Sequence, residues 1–122
     1  NSIDSLDNLE KIKLQIEDRF GTVSDDIIIY MYEELFEKKA RKLGITKINQ
    51  TKNFVEVILP PLLTQTIDGE KLFMEANSIT RMFRFSMKNR SLSIILDMVK
   101  LENHYIYYLI KLCDVINDSI KK

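Results

Sequence analysis

The chain has 122 residues, of which 45% are hydrophobic and 30% are charged. This size and composition are typical of one globular domain with a single core, and they exclude a motor, a two-domain enzyme and a disordered protein. The 18 basic residues balance the 18 acidic ones, so no global field would draw the whole molecule to nucleic acid or to an anionic surface.

The first predicted element is a helix that ends at a glycine. Asp4 or Asp7 can cap its start. Gly21 ends it, because glycine takes the left-handed conformation that closes a helix at little steric cost. Its apolar residues recur at intervals of three and four, which predicts one buried face. These residues are Leu6, Leu9, Ile12, Ile16 and Phe20.

A second helix is predicted to start at Ser24 and to run to about Leu43, before Gly44. Ser24 offers a hydroxyl cap, and Asp25 and Asp26 lie at the positive end of the helix dipole. The acidic and basic residues between Glu33 and Arg41 are interpreted as a solvated face. The predicted apolar face is wide and comprises Ile27, Ile28, Met31, Tyr32, Leu35, Phe36, Ala40 and Leu43.

The middle of the chain changes from helical to extended spacing. Residues 45–48 and 54–59 are rich in strand formers and flank a polar stretch, which predicts a hairpin. Pro60 and Pro61 cannot donate to a strand ladder and are predicted to stop the strand.

The second half of the chain predicts a short helix, another hairpin and a final helix. Asp68 and Gly69 mark a turn or cap before a helix that ends near Asn77, and residues 82–86 and 91–96 form the hairpin strands. Helical spacing from Tyr105 to Ile120 predicts the last helix. The order of elements predicts an α+β domain in which helices pack on one face of a small, mostly antiparallel sheet, with long helices at both ends.

The sequence offers few residues for chemistry. His104 and Cys113 are each the single residue of their type, so no set of side chains matches a zinc site or a cysteine–histidine pair. The three glycines fall at apparent turns or caps, which excludes a phosphate-binding loop. We therefore expect no catalytic residue, no cofactor, no metal, no small-molecule ligand and no enzymatic activity.

The location of the protein is predicted from the same counts. The lone Cys113 is expected to be buried and fits a reducing cytoplasm. No apolar run approaches the roughly 20 residues that cross a bilayer, so no membrane contact is expected. Because the chain begins at Asn1 without an initiator methionine, we interpret residues 1–122 as one domain excised from a longer protein.

One segment could contact nucleic acid. Residues 81–90 mix four basic residues with two aromatic ones, which is the composition of a nucleic-acid groove. Strand alternation explains the segment equally simply, with Phe83 and Phe85 facing the core and Arg84 and Ser86 facing water. The four basic residues are Arg81, Arg84, Lys88 and Arg90.

Two motifs at the predicted helix ends carry a family resemblance. Ile16-Glu17-Asp18-Arg19-Phe20-Gly21 and Ala40-Arg41-Lys42-Leu43-Gly44-Ile45-Thr46-Lys47-Ile48 resemble the C-terminal domain of the bacterial transcription-repair coupling factor. In that family the whole protein is an ATP-driven DNA translocase that removes stalled RNA polymerase and recruits nucleotide excision repair. The resemblance implies that this chain is its last, regulatory domain.

The family role of that domain is autoinhibition. It lies against the N-terminal repair-recruiting module of the same protein and covers the surface that binds the excinuclease A subunit. Residues 1–34 carry nine acidic and three basic residues, a net charge of −6, which suits a basic partner surface.

The resemblance also implies site residues. In the family motif, a glutamate and an aspartate three residues apart contact arginines of the covered surface, and Gln15 and Asp18 occupy these positions here. Gln15 keeps an acceptor but loses the charge, so we expect a looser clamp or redistributed salt bridges. Arg19 is expected either to contact the partner or to pair with a carboxylate inside the domain. Four residues are expected to be structural: Phe20, Gly21, Leu43 and Gly44.

Three functional hypotheses follow. The first is a non-catalytic domain that masks the excinuclease A site. The second is a DNA-contacting accessory domain that uses Arg81, Arg84, Lys88 and Arg90, and the third is a structural cap on the motor. The masking hypothesis predicts an acidic surface that faces a partner, whereas DNA binding predicts that these bases cluster on one exposed face.

Overall fold

The computed structural model of the chain describes residues 5–22 and 24–121, with Phe20 described by its backbone alone. The described residues form five helices and a four-stranded antiparallel sheet, so the predicted α+β class with a helix at each end is confirmed. In chain order the elements are α1 (Leu6–Phe20), α2 (Asp25–Lys42), β1 (Lys47–Gln50), β2 (Phe54–Ile58), α3 (Pro61–Thr66), α4 (Gly69–Ile79), β3 (Phe83–Lys88), β4 (Ser91–Asp97) and α5 (Tyr105–Asp118).

Helix α1 ends at the predicted glycine but is capped by a different residue from the one predicted. Ser5 is the N-cap, and its hydroxyl accepts a hydrogen bond of 3.1 Å from the Asn8 amide. Asp7 lies two residues after the N-cap, inside the first turn, and places its charge at the positive end of the helix dipole. The alternative cap, Asp4, lies outside the described residues. Gly21 has a φ of 86° and donates its amide to the Glu17 carbonyl at 2.9 Å.

Helix α2 follows the predicted bounds, with two differences. Ser24 occupies the N-cap position, but its hydroxyl makes no capping hydrogen bond, and its backbone carbonyl instead accepts from the Ile27 and Ile28 amides. Ile27 is 53% exposed, so the apolar face is narrower than predicted. Gly44 has a φ of 79°, and the Ile45 amide bonds the Ala40 carbonyl at 2.9 Å to close the helix end.

The sheet has the strand order β1-β2-β4-β3, and both predicted hairpins are confirmed. The turn between β3 and β4 is made by Asn89 and Arg90, which both have positive φ values of 51° and 69°. Two such residues produce the type I′ turn that matches strand twist. Strand β4 lies between β2 and β3, so the α3–α4 connection passes from one side of β4 to the other.

Helix α3 is an element that the sequence analysis missed. Pro60 is its N-cap and Pro61 its first residue. Proline has no amide proton to donate, which ends β2. The same lack costs nothing in the first turn of a helix, because amides there have no hydrogen-bond partner within the helix. One proline pair therefore both stops a strand and starts a helix.

One face of the sheet carries the core. Along β2 and β4, Val55, Val57, Ile94 and Leu96 are buried on one face, and residues of α2 and α5 lie over it. The opposite face, which we call the uncovered face, carries polar residues such as Glu56 and the exposed Arg84, and also the buried Ser93.

Three helices are joined by specific side-chain contacts. The Tyr32 hydroxyl of α2 donates to the Glu10 carboxylate of α1, and the Tyr32 ring packs edge-on against Tyr107 of α5 at 4.5 Å. Burial and the Glu10 contact raise the pKa of Tyr32. Lys39 of α2 bonds Asp114 of α5 at 2.6 Å.

Cys113 lies in the core, as predicted. Burial raises the pKa of its thiol to about 12. Within the described part of the chain, no helix is both long and apolar enough to cross a bilayer.

Candidate protein-interaction site

The second half of α1 presents one side to solvent, which we call the α1 face. It lines a shallow depression of about 470 Å³ formed by Ile12, Gln15, Ile16, Asp18 and Arg19. The three polar side chains are exposed, and the two isoleucines are half-buried. The predicted burial of this stretch is therefore only partial, and the isoleucines form an apolar centre within a polar rim.

The polar side chains of the α1 face make no hydrogen bond or ion pair with other residues that the structure describes. This holds for Gln15, Asp18 and Arg19, within the part of the chain that the structure describes. Arg19 was expected either to contact a partner or to pair with a carboxylate inside the domain. The described residues form no such internal ion pair.

Asp18 also interacts unfavourably with the dipole of its own helix. It lies in the last turn of α1, where the backbone carbonyls carry partial negative charge. A carboxylate there is disfavoured by roughly 0.3–1 kcal/mol, whereas Arg19 in the same turn is favoured. Helix stability therefore gives no reason for an acid at position 18.

The motif residues expected to be structural divide into two groups. Gly21 and Gly44 both have positive φ values and end helices. Leu43 is half-buried and packs against the core. The side chain of Phe20 lies outside the described residues.

The four basic residues of the possible nucleic-acid segment do not meet at one place. Arg84 and Lys88 lie on the uncovered face of β3, whereas Arg81 and Arg90 lie in the turns at opposite ends of the strand. Arg84 donates to the Arg81 carbonyl at 2.7 Å, and Lys88 lies 3.6 Å from Glu56. The strand separates the two turns by about 17 Å.

The aromatic residues of this segment face the core side, as strand alternation predicts. Phe83 is buried, and Phe85 is half-buried with its ring 5.4 Å from that of Phe73. They are not arranged to stack on bases.

His104 has a structural role. It is the N-cap of α5, where its Nδ1 accepts from the Ile106 amide at 3.1 Å, and its ring stacks on Tyr105 at 4.4 Å. The described residues include no group of three or more potential metal-ligating His, Cys, Asp or Glu side chains.

A second concave surface was missed by the sequence analysis. We call it the acidic groove; it has a volume of about 430 Å³ and lies between α2, the β1–β2 hairpin and the start of α5. The acids of α2 were interpreted as a solvated face because the sequence does not reveal that a hairpin and another helix stand beside them. The groove is lined by Tyr30, Glu33, Glu34, Phe36, Glu37, Ile48, Gln50, Val55, Tyr105, Ile106 and Leu109.

Comparison with known proteins addresses the fold. A solved structure described as the crystal structure of the C-terminal domain of transcription-repair coupling factor superposes on this chain with a TM-score of 0.74. The match covers 97% of this chain and 74% of that chain, at 16% sequence identity. This chain has the fold of the C-terminal domain of transcription-repair coupling factor. The resemblance that the two helix-end motifs suggested is thereby confirmed for the fold.

The likeness to transcription-repair coupling factor extends along nearly the whole chain, from α1 to α5. At 16% sequence identity, the similarity is one of backbone fold. No protein-family model and no curated protein matches this sequence.

Proposed function

We propose that this chain is the regulatory C-terminal domain of a transcription-repair coupling factor and has no catalytic activity of its own. It binds the N-terminal repair-recruiting module of the same protein through the α1 face and masks the surface for the excinuclease A subunit. The proposal is supported by the fold and, above all, by Asp18, an exposed carboxylate without an ion pair to any described residue and placed against its helix dipole. RNA polymerase, DNA and ATP are assigned to other parts of the parent protein, which acts in the cytoplasm.

The α1 face has the composition of a small, reversible interface. Ile12 and Ile16 supply an apolar centre, and Gln15, Asp18 and Arg19 supply a polar rim. Such a contact is weak between separate molecules, but within one chain it is strengthened by effective concentrations in the millimolar range. A lock of this kind can open when the parent protein engages another partner.

Deletion of this domain from the parent protein is the first test. We expect the excinuclease A subunit to bind the truncated protein more tightly than the full protein, because its surface is no longer masked. Unchanged binding would contradict the masking role.

Asp18→Ala tests the assigned contact residue. A charge-assisted hydrogen bond contributes about 1.5–3 kcal/mol, so we expect the N-terminal module, added as a separate protein, to bind the variant at least about tenfold more weakly. Removing this carboxylate relieves the unfavourable helix dipole interaction, so a loss of binding would not arise from unfolding of α1.

The matched control is Glu102→Ala, which removes an exposed carboxylate from the loop before α5. Calorimetric titration of both variants provides the comparison. Equal affinity of Asp18→Ala and the unsubstituted chain would refute the assignment.

The DNA-contacting hypothesis stays a prediction with less support. Its four basic residues are divided between the uncovered sheet face and two separate turns, and Lys88 already faces Glu56. DNA retention by the chain, measured against salt concentration, distinguishes the hypotheses, since phosphate contacts give a steep salt dependence.

A further inference from the structure

The acidic groove is built from elements that are distant in sequence. Its apolar lining is contributed by Phe36 of α2, Ile48 and Val55 of the first hairpin, and Ile106 and Leu109 of α5. A volume of about 430 Å³ is at the lower end of the range for ligand pockets. A space of this size suits a few side chains of a short segment.

The rim of the groove is strongly acidic. Glu33, Glu34 and Glu37 lie on one side of α2, since residues three and four apart on a helix are neighbours. No ion pair between described residues involves any of these three carboxylates. They are therefore available to a cation from outside the chain.

Two tyrosines stand beside these acids. Tyr30 is 61% exposed, and a hydrogen bond to Glu34 raises the pKa of its phenol. Tyr105 donates its hydroxyl to Gln50 at 3.3 Å and is stacked on His104, so its ring is held in place before any ligand arrives. Fixed aromatic rings next to carboxylates suit a cation, which interacts favourably with a ring face.

We propose that the acidic groove binds a short segment of a partner protein that carries an arginine beside an apolar residue. The guanidinium would bond the rim carboxylates and lie against a tyrosine ring, which a planar delocalised cation does better than a compact ammonium. The methylene stem and the neighbouring apolar side chain would cover the apolar lining. This surface shares no residue with the α1 face, so it is a second contact and does not depend on the masking function.

The test uses a blocked leucyl-arginyl-leucine tripeptide and the whole 122-residue chain. We expect the peptide to shift the backbone amide resonances of Ile48, Gln50 and Ile106 in a nuclear magnetic resonance titration. The same peptide with citrulline in place of arginine keeps the shape but removes the charge, and we expect at least fivefold weaker binding. Equal binding of the two peptides, or shifts located elsewhere, would overturn the proposal.

Charge variants of the protein complete the experiment. The double variant Glu34→Gln/Glu37→Gln is expected to weaken arginine-peptide binding at least fivefold, whereas Glu70→Gln/Glu102→Gln, which removes the same charge outside the groove, is expected to leave it unchanged. A dispersed spectrum of each variant verifies folding. Free arginine amide that binds as tightly as the tripeptide would also overturn the proposal, because it would indicate a small-molecule site.

Discussion

Glu56 holds together the uncovered face of the sheet. Its carboxylate accepts hydrogen bonds from the hydroxyl of buried Ser93 and from the Asn49 amide at 3.3 Å, and Lys88 lies 3.6 Å away. The Ser93 and Asn49 bonds, with a smaller contribution from Lys88, hold the pKa of Glu56 below its ordinary value of 4.5. One carboxylate of β2 thereby contacts side chains from the other three strands, so it links all four strands of the sheet.

The pH dependence of stability follows from this lowered pKa. The folded state favours the ionised form, so the stabilisation is complete above the pKa of the unfolded chain and is lost as pH falls through the lower folded pKa. Glu56→Gln is expected to reduce the free energy of unfolding by about 1 kcal/mol at pH 7. Urea denaturation at a series of pH values should show this difference disappearing in acid. A difference that stays constant into strong acid would mean that the charge of Glu56 contributes nothing.

At the scale of elements, the two helix-end glycines set where α1 and α2 stop. Gly21 combines a φ of 86° with a ψ of −167°, which is an extended conformation on the positive side of φ, different from the left-handed helical one that the sequence suggested. This region is essentially restricted to glycine. Position 21 therefore requires glycine because of its backbone conformation. Lack of space is not the reason, because a Cβ there would meet nothing within 4 Å.

Gly21→Ala tests this requirement against a matched glycine. We expect a loss of roughly 1–3 kcal/mol in the free energy of unfolding, from backbone strain alone. Gly69, at the start of α4, has no positive φ and equal space for a Cβ, so Gly69→Ala should be neutral or stabilising by up to about 1 kcal/mol. Circular dichroism in urea measures both. Similar effects of the two substitutions would remove the special role of Gly21.

The sequence predicted elements whose signals are local. Both long helix ends, both hairpins and the burial of Phe83 follow from glycines, turn residues and strand alternation within a few positions. Helix α3 was missed because a proline pair can both end a strand and begin a helix. The cap of α1 was predicted wrongly because Ser5, Asp4 and Asp7 all have side chains that can cap a helix. The acidic groove could not be predicted, since Glu34 meets Gln50 and Tyr105 only after the sheet and α5 have assembled.

At the scale of the whole molecule, opposite charges are distributed unevenly over the surface. The α1 face and the acidic groove both include residues from the acid-rich first third of the chain, whereas Arg84 and Lys88 lie on the uncovered sheet face. Of these two surfaces, the acidic groove, with Glu33, Glu34 and Glu37 on its rim, attracts a basic partner surface more strongly. At the α1 face, the single carboxylate of Asp18 is balanced by Arg19, and Gln15 is neutral.

Gln15→Glu is expected to strengthen the closed state of the parent protein. The added carboxylate lies three residues from Asp18 on the same side of α1, so it gains a charged contact with a basic partner. We expect the excinuclease A subunit to bind the variant parent protein roughly threefold to tenfold more weakly. Gln65→Glu, an exposed position of α3, is the control for charge alone. Tighter excinuclease A binding by Gln15→Glu would contradict the masking proposal.

The strand order of the sheet also determines how the molecule assembles. Each hairpin closes between neighbours in sequence, but β2 and β4 pair only after residues 59–90 have been folded back across the sheet. The pairs Val57↔Ile94 and Val55↔Leu96 along this seam are among the most buried of the core. Local contacts form fast. Pairing across a long loop is slower, because the chain loses the entropy of loop closure before the strands gain any contacts. We therefore expect the joining of the two hairpins to be the slow step of folding, so substitutions along the seam should change the folding rate.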